Sequence, residues 1–300
     1  MKTLNTYLES LLDDDDDFYD TEHNKKVIED WIMNHYMIVG KLIISNDFIV
    51  DCVGRVSVND KSITSLTNGM FKWGRISNIF RCSRCENLKS LEGSPEYVGG
   101  DFNCSFCNNI TSLEGAPKKV GGCFDCSDCD NLESLEGAPE KIGGDFVCSY
   151  CMNLKSLKGA PKETEGSFYC NNCMNLKSLK GAPKKVGEHF WCSSCDGLIS
   201  LEGVPRKINN SFYCPSCPNL TTLKGAPEEI GSSFDCSGCE NLISLEGAPK
   251  KVGYAFDCSQ CGNLTTIKDG PEKVGGLFYC NDCPKLTITD SDRKKYKIEY

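Results

Sequence analysis

A phrase built around a C-x-x-C cysteine pair recurs every 22 residues along most of the chain. Twenty of the 22 cysteines lie in these pairs, and only Cys52 and Cys123 stand outside them. The consensus is F-x-C-S-x-C-x-N-L-x-S-L-x-G-A-P-x-x-V-G-G-x, with no insertion between copies. A fixed period of this length is typical of solenoids, in which each repeat buries its apolar residues only against neighbouring repeats. The pairs begin at Cys82, Cys104, Cys126, Cys148, Cys170, Cys192, Cys214, Cys236, Cys258 and Cys280.

Each phrase begins with a strand pattern and continues as a return segment without helical periodicity. Phe102 and Cys104 alternate with polar Asp101 and Asn103, which places the two apolar residues on one face of a strand. The later apolar residues are widely spaced among Gly, Pro and charged residues, which favours an extended or turn-like path. We therefore predict a solenoid of ten coils with one parallel strand per coil, in which the phenylalanines form one buried column.

The repeat resembles the leucine-rich repeat family in its cysteine-containing variant. In "FDCSGCENLISL", Phe234 and Cys236 occupy strand positions of the pattern L-x-x-L-x-L-x-x-N/C-x-L, and Cys239 occupies its N/C position. The next apolar residue, Leu242, follows at the spacing of the C-x-x-I/L class. The resemblance covers residues 80–286 and implies a leucine-rich-repeat-like stack. "LEGAPKKVGG" and the N-terminal phrase "FIVDCVGRVSVNDKSITSLTNG" also resemble repeat proteins of large tailed phages, which implies a phage-encoded protein that acts on a host protein.

Both ends of the chain depart from the repeat, and we expect them to cap it, because terminal coils would otherwise expose their core. Residues 1–40 are predicted to hold a helical cap and an acidic linker. Residues 41–79 are predicted to form strands and a degenerate first coil, residues 80–286 the ten regular repeats, and residues 287–300 a C-terminal cap. Two amphipathic helices are expected in the N-terminal cap, marked by Leu4, Leu8, Leu11 and Leu12 and by Val27, Trp31 and Ile32.

Three chemical states are open to the cysteine pairs: reduced thiols, zinc ligands and disulfides. The chain shows neither a secretory signal nor a long apolar run, which favours the cytoplasm, where thiols stay reduced. A zinc site would join two coils, for example through Cys148, Cys151, Cys170 and Cys173, because one pair supplies only half of a tetrahedron. The consensus shows no alternation between odd and even coils. We favour buried thiols and no cofactor, with the second cysteine donating to turn carbonyls. A zinc-binding structural or storage protein remains the alternative.

The composition argues against several classes of function. Acidic residues exceed basic residues by 42 to 33 and no basic cluster stands out, so neither nucleic acid nor a membrane surface is an expected partner. The three histidines, His23, His35 and His189, belong to no catalytic motif. We therefore expect a non-enzymatic module that binds another protein on the concave face of the solenoid. A virion component is a further alternative.

The partner site is predicted from the column between the phenylalanine and the first cysteine of each coil. Three consecutive coils place Tyr169, Trp191 and Tyr213 there, and stacked coils would align them as one exposed stripe. Tyrosine and tryptophan often carry the binding energy of interfaces, although strands favour aromatic residues in any case. The predicted partner-binding residues are Tyr169, Trp191, Tyr213, His189, Tyr150 and Asp235.

Overall fold

The computed structural model describes residues 21–299. The first predicted helix, at residues 4–12, and the aspartate run at residues 13–17 lie outside the described residues. The N-terminal part consists of a helix followed by three strands: α1 (Thr21–His35), β1 (Tyr36–Ile44), β2 (Ile49–Val58) and β3 (Lys72–Ile76). Helix α1 is the second predicted helix, and its residues Ile28 and Ile32 are fully buried. β1 begins at Tyr36, inside the segment assigned to the helical cap.

The predicted strand of each coil is present, and these strands form one continuous parallel ladder, here called the Phe ladder. Successive strands pair in register, so that the phenylalanine of one coil lies beside that of the next, as in Phe102 and Phe124. The backbone N–H of Cys104 donates to the carbonyl of Asp125 in the following coil, and the same bond recurs along the stack. The strands are Phe80–Arg81, Phe102–Asn103, Phe124–Asp125, Phe146–Val147, Phe168–Tyr169, Phe190–Trp191, Phe212–Tyr213, Phe234–Asp235, Phe256–Asp257 and Leu277–Tyr279.

A second parallel ladder, here called the return ladder, runs through the segment that the sequence indicated as turn-like. In each of its strands, most often Lys-Val or Lys-Ile, the first side chain faces outward and the second faces the core. The strands are Tyr97–Val98, Lys119–Val120, Lys141–Ile142, Glu163–Thr164, Lys185–Val186, Lys207–Ile208, Glu229–Ile230, Lys251–Val252 and Lys273–Val274. The ladder is divided after Lys185–Val186, and the strands from Lys207–Ile208 onward form a separate four-stranded sheet.

The two ladders enclose a core of stacked columns. The rings from Phe80 to Phe278 are fully buried and stack with centroids 5.0–5.8 Å apart. This confirms the predicted phenylalanine column. The two Leu or Ile positions of every coil before the last, such as Leu154 and Leu157, are also fully buried. One coil could not cover these side chains alone, so the stack as a whole supplies the hydrophobic burial.

Two corners of each coil need a left-handed backbone. In the G-A-P corner, Gly181 has φ +95°, and a Cβ there would lie 2.6 Å from the carbonyl oxygen of Leu157 in the preceding coil. The third residue of every C-x-x-C turn also has a positive φ, between 53° and 67°, although only Gly238 among them is a glycine. Several asparagines that precede the first leucine of a coil donate to the preceding coil, as Asn175 Nδ2 does to the carbonyl of Met152 (2.8 Å).

The C-terminal segment closes the Phe ladder. Helix α2 (Asp290–Lys295) is capped by Thr289, whose side chain accepts from the N–H of Asp292. The strand Lys297–Glu299 then pairs with Leu277–Tyr279. The ring of Tyr296 stacks on Phe278 at 4.4 Å and its hydroxyl donates to the carbonyl of Pro271 (2.7 Å). The phenylalanine column therefore ends against a tyrosine rather than against solvent.

Candidate functional site

The cysteine pairs lie inside the solenoid as two thiol columns. Nineteen of the twenty paired cysteines are buried, and Cys283 in the last coil is half-buried. From Cys107 onward, the second cysteine of each pair donates its S–H to the carbonyl of the first cysteine one coil back, as Cys173 Sγ does to Cys148 (3.2 Å). The first cysteine can donate to the next coil, as Cys170 Sγ does to the carbonyl of Trp191 (3.4 Å). This is the donor role that the sequence predicted.

Burial raises the pKa of the Cys104, Cys126 and Cys148 thiols well above the ordinary value. The cause is desolvation, which disfavours the thiolate, and neighbouring thiols in the same columns add to it. A protonated thiol is a poor nucleophile and a poor metal ligand. The columns thus have the chemistry of small apolar side chains with a weak donor.

No group of three or more His, Cys, Asp or Glu within residues 21–299 is arranged to hold a metal ion. At the pairs named for a zinc site, the Cys148 and Cys151 sulfurs are directed to the carbonyls of Tyr169 (3.3 Å) and Cys126 (3.2 Å). Ligation would replace these bonds and would need the deprotonated form of each thiol. The zinc alternative therefore stays a prediction, to be tested by metal analysis.

The three predicted aromatic residues form a stack on the outer face of the Phe ladder, here called the aromatic stripe (Tyr169, Trp191 and Tyr213). Trp191 and Tyr213 stack closely, with ring centroids 3.8 Å apart and planes 21° apart. Tyr169 lies farther from Trp191, at 6.2 Å and 20°. Each ring is half-buried rather than fully exposed, because its neighbours cover its faces. Stacking within the stripe therefore covers the ring faces that Trp191 and Tyr213 turn toward each other.

The other three predicted residues differ in how they relate to the stripe. The ring of His189 lies 5.9 Å from that of Tyr213, and its Nδ1 accepts from the backbone N–H of Ser211 (3.3 Å). That bond leaves Nε2 as the protonated nitrogen of the neutral ring. Tyr150 is 47% exposed at a turn with φ 60°, with no ring contact to the stripe. The Asp235 carboxylate accepts from the N–H (2.8 Å) and hydroxyl (2.7 Å) of Ser237.

The contacts of Asp235 indicate what this column does in the coils that carry Asp or Asn there. Asn103 and Asp125 also accept from the serine two residues on, and each carboxylate or amide thereby fixes the start of its C-x-x-C turn. Such Asx turns are a common use of Asp and Asn. At Trp191 this bond is absent, and the Ser193 hydroxyl is buried without a hydrogen-bond partner. The repeated Asp/Asn-x-Ser spacing in the sequence carried this signal, and sequence reasoning missed it.

A groove of about 840 Å³ lies where the N-terminal strands meet the first coils. Its floor includes Met70, Phe71 and Trp73, all nearly fully buried. Its rim is polar and includes the Lys118–Glu96 ion pair (2.6 Å). The rim charges are of both signs, so the groove selects no particular ligand chemistry.

No helix within residues 21–299 is both long enough and apolar enough to span a bilayer. No protein-family model, curated protein or solved structure matches the chain. The functional proposal therefore depends on the site alone.

Proposed function

We propose that this protein is a non-enzymatic binding module of the cytoplasm that captures another protein through the aromatic stripe. The observation that carries this proposal is the exchange of residue types in one column. Asp or Asn stabilises the turn in coils such as that of Asp125, whereas three consecutive coils replace it with Tyr, Trp and Tyr. The replacement leaves Ser193 without a partner, and a buried unpaired hydroxyl costs about 1–3 kcal/mol. A loss of this kind is expected where a surface serves binding.

The ring geometry supports a protein partner over a flat ligand. Planar ligands and cations are recognised by ring faces, and in the stripe the inner faces of Trp191 and Tyr213 cover each other. The half-buried stripe also carries polar groups, namely two tyrosine hydroxyls and the Trp191 indole N–H, and His189 beside it carries an Nε2–H. Such groups suit carbonyl oxygens and apolar side chains of a protein surface.

The test replaces the stripe by the residues that the repeat itself uses at these positions. The variant Tyr169→Asn/Trp191→Asp/Tyr213→Asn should fold as the parent does, because the carboxylate introduced by Trp191→Asp gives Ser193 an acceptor. The parent and the variant are each immobilised on a resin and incubated with the natural cytosol. The captured proteins are then quantified by mass spectrometry. A partner captured by the parent should be lost from the triple variant.

A matched control changes an aromatic residue of the same column that lies outside the stripe. Tyr279→Asn changes an aromatic residue at the same position in the last coil of the column and should capture the partner normally. Circular dichroism and thermal unfolding check that both variants are folded. Undiminished capture by a folded triple variant would show that the stripe is not the site.

A further inference from the structure

The outer face of the β1–β2 hairpin carries an exposed apolar patch. Side chains alternate between the two faces of a strand, and β1 and β2 pair antiparallel with Val39 opposite Arg55 and Lys41 opposite Val53. The apolar members of this face are 47–58% exposed. The patch, here called the hairpin face, comprises Met37, Val39, Ile43 and Val53 with Lys41 and Arg55.

Both faces of this hairpin are apolar, although only one packs on the solenoid core. On the inner face, Val50 and Val56 are fully buried, while Ile38 and Leu42 are half-buried. Strands that are apolar on both sides are typical of sheets covered on both sides. A contiguous exposed apolar patch on a folded protein usually marks an interaction surface.

The charges on the hairpin face are predominantly positive. Lys41 and Arg55 are exposed, and neither has an ion pair within residues 21–299. Asp51 supplies the one negative charge of the face; its half-buried carboxylate accepts from the backbone N–H of Arg75 (2.6 Å), and Lys41 with Arg55 leave the face net positive. Arg81, exposed on the strand that pairs with β2 at Ser57, extends the positive charge toward the Phe ladder. An occupant must therefore offer apolar side chains and negative charge together.

We propose that the hairpin face binds an acidic, apolar segment of a partner protein. A second copy of this chain fits poorly, because two-fold packing would bring Lys41 and Arg55 of both copies together. An anionic membrane fits poorly because the chain carries a net charge of −9, which opposes its approach to a negative surface. A segment with alternating Leu and Asp or Glu satisfies both the apolar and the basic residues. The proposal is independent of the aromatic stripe.

The test measures binding of defined peptides to the full chain by fluorescence anisotropy. Labelled nine-residue peptides of alternating Asp and Leu, Lys and Leu, or Ser and Leu are titrated at low and moderate salt. The Asp-Leu peptide should bind, more weakly at higher salt, and the Lys-Leu peptide should not. In Lys41→Glu/Arg55→Glu, affinity for the Asp-Leu peptide should fall about tenfold, and the Lys-Leu peptide should gain affinity.

The control Lys89→Glu/Lys177→Glu makes the same change in net charge at two exposed lysines elsewhere and should bind the Asp-Leu peptide as the parent does. The stripe variant should also bind it normally. Equal loss in the control, or binding of all three peptides alike, would overturn the proposal. So would a concentration-dependent dimer abolished by Val53→Asp, which would assign the face to a second copy. Binding to phosphatidylserine vesicles without peptide binding would assign it to lipid.

Discussion

Raising the pH should unfold this protein between about pH 8.5 and 9.5. Nine of its buried thiols are neutral in the folded state, because burial raises their pKa well above the ordinary value. When the pKa of a group is higher in the folded state than in the unfolded state, its contribution to the free energy of unfolding is fully present below the unfolded pKa. That contribution is lost as the pH rises above the unfolded pKa. The nine thiols are Cys104, Cys126, Cys148, Cys151, Cys170, Cys192, Cys214, Cys236 and Cys258.

The magnitude follows from the unfolded thiols, whose pKa is about 8.5. At pH 9.5 their ionisation lowers the free energy of unfolding by about 1.4 kcal/mol for each thiol. Over nine thiols this reaches roughly 13 kcal/mol, which is comparable to the whole stability of a typical domain, about 5–15 kcal/mol. At pH 8.5 the same nine thiols account for only about 4 kcal/mol.

The assay is urea unfolding followed by far-UV circular dichroism at half-unit pH steps from 6.5 to 10.5, with a non-thiol reductant present. The urea midpoint should be flat below pH 8 and fall steeply above it. A midpoint unchanged from pH 7 to 9.5 would refute the assignment of buried protonated thiols. Zinc-bound thiolates would give the opposite sign, because protonation releases the metal and stability would then be lost as the pH falls.

Three substitutions test the packing. Phe168→Ala should lower the free energy of unfolding by about 3–5 kcal/mol through a core cavity, since the ring is fully buried between neighbouring rings at 5.5 and 5.2 Å. Phe168→Leu, which keeps most of the volume, is the control. A loss under about 1 kcal/mol for the Ala variant would contradict the column. Thr164→Val should stabilise the protein by about 1 kcal/mol. Thr164 is fully buried in a column otherwise built of Val and Ile, and its hydroxyl makes only a 3.3 Å bond to the carbonyl of Gly166. Equal or lower thermal stability of the variant would count against this reasoning. Gly238→Ala should destabilise the protein by about 1 kcal/mol, because φ at Gly238 is +67°. Gln260→Gly at the equivalent position should not destabilise it. Calorimetry that found Gln260→Gly less stable than Gly238→Ala would refute the turn assignment.

The sequence predicts the phenylalanine column, the coil period and the inward cysteines. It does so because the same type of residue recurs at the same position in every repeat, which indicates the same environment in each coil. The sequence does not predict the return ladder. Its strands are two residues long, as in Lys119–Val120, and they are held by partners 22 residues away. Strands this short show no alternation of apolar and polar residues that would indicate such pairing. The left-handed turn residue was also hidden, because Phe106 and Tyr150 occupy it in place of glycine.

The three aromatic residues lie on the column that the sequence predicted, but their exposure was misjudged. Tyr169, Trp191 and Tyr213 lie on the predicted column, yet in-register stacking places each ring against the next, which half-buries all three. The division of the return ladder falls in the same region, before Lys207–Ile208. That coil differs from its neighbours by Val204 in place of Ala and Asn209 in place of Gly.

Native mass spectrometry of protein purified without chelator is the most direct test of whether sulfur here fills the core or binds a metal. The thiol columns described above predict the mass of the unmodified chain, and alkylation after unfolding should then modify all 22 cysteines. A mass raised by several zinc ions per chain, with matching zinc by elemental analysis, would contradict them. Fewer than 22 alkylated cysteines in freshly purified protein would contradict the reduced state.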